Sequence, residues 1–205
     1  MPCAFIDKEA PELFDLLTAI FGYRLKLAEI GITDLFVYKL VDYCTARGLT
    51  NVFVYHAKQE AVYGADLDLF VQQATGKYLW FALQAKVMNF MGVYKDLRIR
   101  KKNPQQWEKL KDNEAKHRNK AFYLFYNGDY PSPSRLPAPV GTDCRGVPAL
   151  KDYGYGIVER LHIETHFSGG ASRAKFTDFY PYKMDALRKL ICCDFDDPGG
   201  VFTRI

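Results

Sequence analysis

At 205 residues with a formal net charge of +4, the chain fits one domain with a sizeable core and is only mildly basic, so it permits an anionic partner without demanding one. Its 48% hydrophobic share is ordinary for a globular chain, and its 15% aromatic share suits a sheet-rich core. No apolar run approaches the roughly 18 residues of a membrane helix, and the start, Met1-Pro2-Cys3-Ala4-Phe5-Ile6-Asp7-Lys8-Glu9, lacks the basic region of a signal peptide. The expectation is a cytoplasmic protein with no membrane partner. Its 5 cysteines, an odd number without regular spacing, point to reduced thiols rather than a disulfide framework.

Pro11 suits the first turn of a helix running to about Ala28, with Leu13, Leu16, Leu17, Ile20, Leu25 and Leu27 at helical spacing. Glu29-Ile30-Gly31-Ile32 reads as a junction. Thr33 is the expected N-cap of a second helix, with Asp34 in its first turn, a buried stripe through Leu35, Phe36, Leu40, Tyr43 and Cys44, and Gly48 at its end. Thr50 to His56 is a strand leading to Lys58-Gln59-Glu60.

Next comes the stretch that organises the chain. Leu67, Leu69 and Val71 alternate with Asp66, Asp68 and Phe70, and Ala85 and Val87 alternate with Gln84 and Lys86. Ala74-Thr75-Gly76-Lys77 supplies the turn of an antiparallel hairpin. If Asp66 and Lys86 are cross-strand neighbours, residues 74 and 78 close the loop Thr75-Gly76-Lys77. A two-residue turn instead sets Asp66 opposite Ala85 and sends the amine to the other face.

Asn89 to Asn103 reads as a connection carrying Arg98, Arg100, Lys101 and Lys102. Pro104 opens a helix to about Lys116, and Ala121 to Tyr126 is a strand. Asp129 to Gly146 is an irregular Pro-, Ser- and Gly-rich loop. Ile157 to Phe167 alternates in part like a strand, and Met184 to Cys192 resembles a short helix. This order gives one α/β sandwich with a mixed central sheet flanked by helices. Its core spans about residues 29–127, its loop about 128–153 and its C-terminal extension 154–205.

The same order gathers Glu29, Glu60, Asp66, Asp68, Gln84 and Lys86 at one end of the sheet. Charge on an otherwise apolar hairpin is costly unless it is paired or binds a metal. Carboxylates and an amide carbonyl are hard oxygen ligands suited to Mg²⁺ or Mn²⁺. With a lysine to serve an attacking water, they suggest metal-assisted phosphodiester hydrolysis. A surface salt-bridge cluster is the competing reading.

At Gly64-Ala65-Asp66 and Gln84-Ala85-Lys86 the chain resembles the PD-(D/E)XK, or restriction-endonuclease-like, nucleases, in the variant with Gln-x-Lys on the third strand. It is also similar to an uncharacterised bacterial family with a Glu-x-x-Ile-Thr helix start, Gly-Ala-Asp, Gln-Ala-Lys, a following Tyr and a terminal Leu-x-Cys-Cys. Here these are Glu29 to Thr33 (one residue longer than that spacing), Asp66, Gln84 to Lys86, Tyr94 and Leu190 to Cys193. The resemblance covers residues 29–127 and thins beyond them. It implies a restriction-endonuclease-like sandwich and Mg²⁺- or Mn²⁺-dependent cleavage of DNA or RNA, in bacterial defence or mobile-element biology. Asp66 and Gln84 hold the metal, Asp68 ranks below Asp66 as either a second ligand or the partner that holds Lys86, Glu60 or Glu29 is the added acid, and Lys86 serves the water. A homodimer or a larger complex is within that expectation. The alternatives are an inactive nuclease-fold binding module and an interaction subunit.

Arg98, Arg100, Lys101 and Lys102 are candidate phosphate contacts, as is the run Lys111, Lys116, His117, Arg118 and Lys120. Phe90, Tyr94 and Trp107 are candidates for base stacking, with core packing the commoner role. His162 and His166 with Cys144, Cys192 and Cys193 lack a usual zinc spacing, and the adjacent cysteines suit packing better.

Overall fold

The computed structural model describes residues 2–98, 104–129, 136–140, 142–193 and 201–202. Helices α1 (Pro2–Gly22) and α2 (Glu29–Ala46) precede strand β1 (Val52–His56) and a single turn, α3 (Glu60–Tyr63). The hairpin β2 (Leu67–Gln72) and β3 (Tyr78–Val87) follows, then β4 (Val93–Tyr94), α4 (Gln106–His117) and β5 (Lys120–Tyr126). A 3-10 helix (Leu150–Gly154) leads to β6 (Tyr155–Glu159), α5 (Arg160–Ser168), β7 (Ala174–Lys175) and α6 (Phe176–Phe179). β8 (Met184–Ala186), α7 (Arg188–Cys192) and β9 (Val201–Phe202) complete the described elements.

The central sheet runs β1-β2-β3-β5-β6-β8, with β9 beside the start of β3. β3 and β5 are parallel, while the other neighbouring pairs are antiparallel. The fold is therefore an α/β sandwich with a mixed sheet, consistent with a restriction-endonuclease-like architecture. The predicted alternation sets its two faces. Leu67, Leu69, Phe81 and Leu83 pack beneath Leu17 of α1, Phe36 of α2 and Leu190 of α7. Ala82, Tyr123 and Phe125 pack beneath Leu110 of α4, Ile163 of α5 and Phe179 of α6. Among the described residues no helix is long and apolar enough to cross a membrane.

Several expectations need correction. α1 starts at Pro2, and Pro11 lies inside it rather than in its first turn. Phe5, Ile6 and Ala10 continue the buried stripe of Leu13 and Leu17, so packing outweighs the hydrogen bond that a mid-helix proline forgoes. α2 starts at Glu29 rather than after Thr33. Thr33 is no N-cap: its hydroxyl donates back to the Glu29 carbonyl at 2.9 Å. Residues 157–167 divide into the end of β6 and helix α5, and 184–192 into β8 and α7. The C-terminal segment supplies β6 and β8 and is thus part of the sandwich rather than an appendage.

The thiols also differ from expectation. Cys144 and Cys193 form a disulfide across 49 residues of sequence, while Cys3, Cys44 and Cys192 are free. A link over that distance leaves no spacing signal. It joins the loop after β5 to the end of α7, where Arg188 also bridges Asp143 at 2.5 Å and Asp152 at 3.0 Å.

Candidate active site

The hairpin turns on Gly76, whose φ is +80°. The Gln73 N–H donates to the Lys77 carbonyl at 2.7 Å and encloses Ala74-Thr75-Gly76. The left-handed position of a three-residue hairpin loop is its last, so Gly76 closes the loop instead of standing at its middle. This shifts the register from the expected one. Leu67 faces Leu83, and the Asp66 N–H donates to the Leu83 carbonyl at 2.8 Å. Asp66 consequently lies against Gln84 and not directly against Lys86. Gln84 and Lys86 still share one face of β3.

β2 stops pairing here while β3 continues. The Ala85 N–H would be the next ladder donor toward β2, and the Asp66 carboxylate accepts it at 2.7 Å. The same carboxylate oxygen accepts from Gln84 Nε2. Gln84 is 1% exposed, and its carbonyl oxygen has no hydrogen-bond partner among the described residues. A buried amide oxygen without a partner is costly, and it lies beside a carboxylate. Lys86, with its side chain 7% exposed, reaches past the strand end to Glu29 Oε1 at 3.1 Å.

Glu29 is held there by its own helix. Thr33 Oγ1 donates to the Glu29 carbonyl and lies 2.8 Å from the Tyr126 hydroxyl, which ties the first turn of α2 to the end of β5. Sequence reading missed this bracket. Its signal is a threonine one turn after the glutamate, and the cap-like pattern masked it. Tyr123, level with Gln84 on β5, has a buried hydroxyl without a partner among the described residues and adds a second such polar group on this face.

Two cavities meet at Glu29. One, of about 230 Å³, is lined by Glu29, Asp34, His56, Glu60 and Asp66 among others. The other, of about 390 Å³, runs from Glu29 and Lys86 over apolar side chains. Burial pushes the Asp66 carboxyl up to about 7. The Lys86 ammonium and the Ala85 N–H oppose that rise, and Glu60 and Glu29 add to it. Glu29, Glu60 and Asp66 do not all lie within 4.8 Å of one another, so the cleft is wider than a closed ligand shell.

A titration follows from this geometry. An unfolded aspartate titrates near ~3.9, whereas folded Asp66 keeps its proton up to about 7. Its contribution to stability is complete below about 4 and is lost as pH rises through about 7. Asp66→Asn is expected to melt several degrees above the parent at pH 8 and level with it near pH 4. Thermal melts across this range test the point; a pH-independent difference contradicts it.

The whole of this arrangement falls inside one family match, over residues 2–204. The chain belongs to DUF6615, a family of unknown function. No curated protein matches it.

The remaining candidates of this DUF6615 chain sit elsewhere. Asp68 accepts from Trp80 Nε1 at 2.8 Å and does not line the cleft with Asp66. Arg98 Nη1 donates to the Ala171 carbonyl at 2.9 Å. Arg100, Lys101 and Lys102 lie outside the described residues. Lys111 pairs with Glu164 at 3.6 Å, and Lys116 donates to the Tyr63 hydroxyl at 3.1 Å. Tyr94 is core: it stacks on Phe125 at 4.0 Å and donates to Asn127 Oδ1 at 2.6 Å. Trp107 is buried as well, stacked on Phe167, whereas Phe90 is exposed. His166 contacts the Arg173 carbonyl at 2.7 Å and Asp178 at 3.6 Å. Among the described residues the metal-capable group is Asp143, Cys144 and Cys193, and its two sulfurs are spent in the disulfide.

Proposed function

We propose that this chain is a cytoplasmic, metal-dependent nuclease that hydrolyses phosphodiester bonds of DNA or RNA. The observation that carries the reading is the placement of Asp66, Gln84 and Lys86 where β2 leaves β3. A carboxylate lies against a buried amide with a free carbonyl oxygen, and an ammonium follows on the same face. The donor set fits Mg²⁺ or Mn²⁺: Asp66 and the Gln84 carbonyl would hold the ion, with Glu29 or Glu60 completing it. Once bound, such an ion polarises a phosphoryl oxygen and acidifies a water.

The chain's own residues supply the rest. Asp34, Glu29, Glu60 and Asp66 give the cleft a negative field that repels a bare phosphate and favours a cation. Lys86 supplies a positive charge for the pentavalent phosphorus, where charge builds as the P–O bond to water forms and the P–O bond to the sugar oxygen breaks. Glu29 holds that ammonium in place. The leaving oxygen takes a proton from solvent or from the cleft. Asp68 is left out of this set because the Trp80 indole occupies it.

A second reading draws on the Lys86–Glu29 ion pair, which a non-cutting module also accommodates. Incubation of plasmid, single-stranded DNA and RNA with Mn²⁺ or with chelator separates the two. The nuclease cuts only with metal, and cutting disappears in Asp66→Ala. A module that keeps its nucleic-acid affinity in Asp66→Ala and never cuts replaces the nuclease reading with the binding one.

A further inference from the structure

The larger cavity at the site carries a statement about substrate. Its volume of about 390 Å³ falls within the ~300–1,000 Å³ of small-ligand sites. Glu29 and Lys86 form one wall, so any occupant lies directly beside the proposed reaction centre. Much of the rest of the lining is apolar and exposed: Leu25 is 60% exposed, Ile30 74%, Phe90 38% and Met91 52%. A concave pocket with mostly apolar walls and a few polar groups is the usual form of a ligand site. Lys26 and Lys95 also line the cavity, and neither has an ion pair among the described residues. Asp96 and Glu29 are the acids of the lining, and Glu29 is taken up by Lys86.

Resting on the nuclease reading above, we propose that this pocket seats an unpaired base of the strand being cut, so that the substrate class is single-stranded nucleic acid. In a duplex the base faces are stacked and hidden, and what it offers a protein is chiefly phosphate and groove edges. A concave apolar wall makes little use of those. An unpaired base has a free face to bury against Phe90 and Ile30, and its flanking phosphates are matched by Lys26 and Lys95. The adjacent phosphate then lies toward Lys86 and Asp66. Apolar walls, two lysines and a shared boundary with the acidic cleft together select a nucleotide with its base exposed over a peptide or a second copy of the chain.

The test uses the full chain with Leu25→Ala and Phe90→Ala, both at exposed positions that line the larger cavity and not the acidic cleft, and thermal melts to confirm folding. A labelled single-stranded oligonucleotide and the blunt duplex of the same sequence are compared for binding in chelator and for cleavage in Mn²⁺. The expected result is preference for the single strand in both assays, and a loss of single-strand affinity of about tenfold in each variant, with Mn²⁺ affinity unchanged. Equal or better binding of the duplex, or variants that bind the single strand as well as the parent, overturns the proposal while leaving metal-dependent cleavage intact. A concentration-dependent dimer that Phe90→Ala abolishes also overturns it and assigns the pocket to a second copy. Pocket-dependent single-strand binding without Mn²⁺ binding or cleavage removes the nuclease reading and keeps the pocket.

Discussion

Lys86→Ala is expected to lower metal-dependent cleavage by about 10²–10⁴-fold, the usual range for a positioned group that assists proton transfer or charge stabilisation. The fold should survive the change. Glu29, the ion-pair partner, has its side chain 31% exposed and can turn to water once the ammonium is gone. Mn²⁺ binding should therefore persist, because Asp66 and Gln84 are untouched. Single-turnover cleavage with parallel Mn²⁺ titration makes the distinction. A loss of cleavage with retained metal binding assigns Lys86 to the reaction. A loss of both points to collapse of the strand end. Cleavage at the parental rate removes Lys86 from the mechanism altogether.

Gly154→Ala is expected to be the most destabilising single-methyl change in the sandwich. A Cβ on Gly154 would sit 2.0 Å from the Ala10 carbonyl oxygen, 2.9 Å from its carbon and 3.1 Å from the Phe14 nitrogen. All three are backbone atoms of α1, so no side-chain rotation relieves the clash and the helix must move. Overpacking of this kind costs about 3 kcal/mol, which for a chain of this size lowers the melting temperature by roughly 6–12 °C. Gly31→Ala is the matched control. Nothing lies within 4 Å of its added carbon, and it sits inside α2. It should gain about 0.5–1 kcal/mol by helix propensity. If the two variants melt together, α1 does not bear on the 3-10 helix as closely as the structure shows.

The parts legible in the sequence share one property: each is written in a short window. Alternation at Leu67, Leu69 and Val71 announced β2, and the continuous run 121–126 announced β5, because both strands use a period that a few residues display. The convergence of Glu29, Glu60, Asp66, Gln84 and Lys86 followed from element order alone, since antiparallel neighbours return to the same end. What failed needed knowledge from outside the window. The register depended on which loop position demands a left-handed residue, and that moved Asp66 from Lys86 to Gln84. The start of α1 depended on a core stripe that tolerates Pro11. Alternation puts Asp68 on the face of Asp66, and its partner, the indole of Trp80 12 residues away, is not written in that pattern. The Cys144–Cys193 link and the Thr33–Tyr126 bracket are contacts across 49 and 93 residues, which no local pattern records.

The seating of α1 also has a consequence in time. This helix is made well before the backbone it is pressed against, at Gly154 and Gly128. At ~5–20 residues per second the interval to Gly154 is about 7–30 seconds. Throughout it, Phe5, Ile6, Leu13 and Leu17 wait in water with no partner from the far end of the chain. Arrest of translation just before the 3-10 helix should trap a sheet paired from β1 to β5, with α1 still lacking its contacts to Gly154 and to α7.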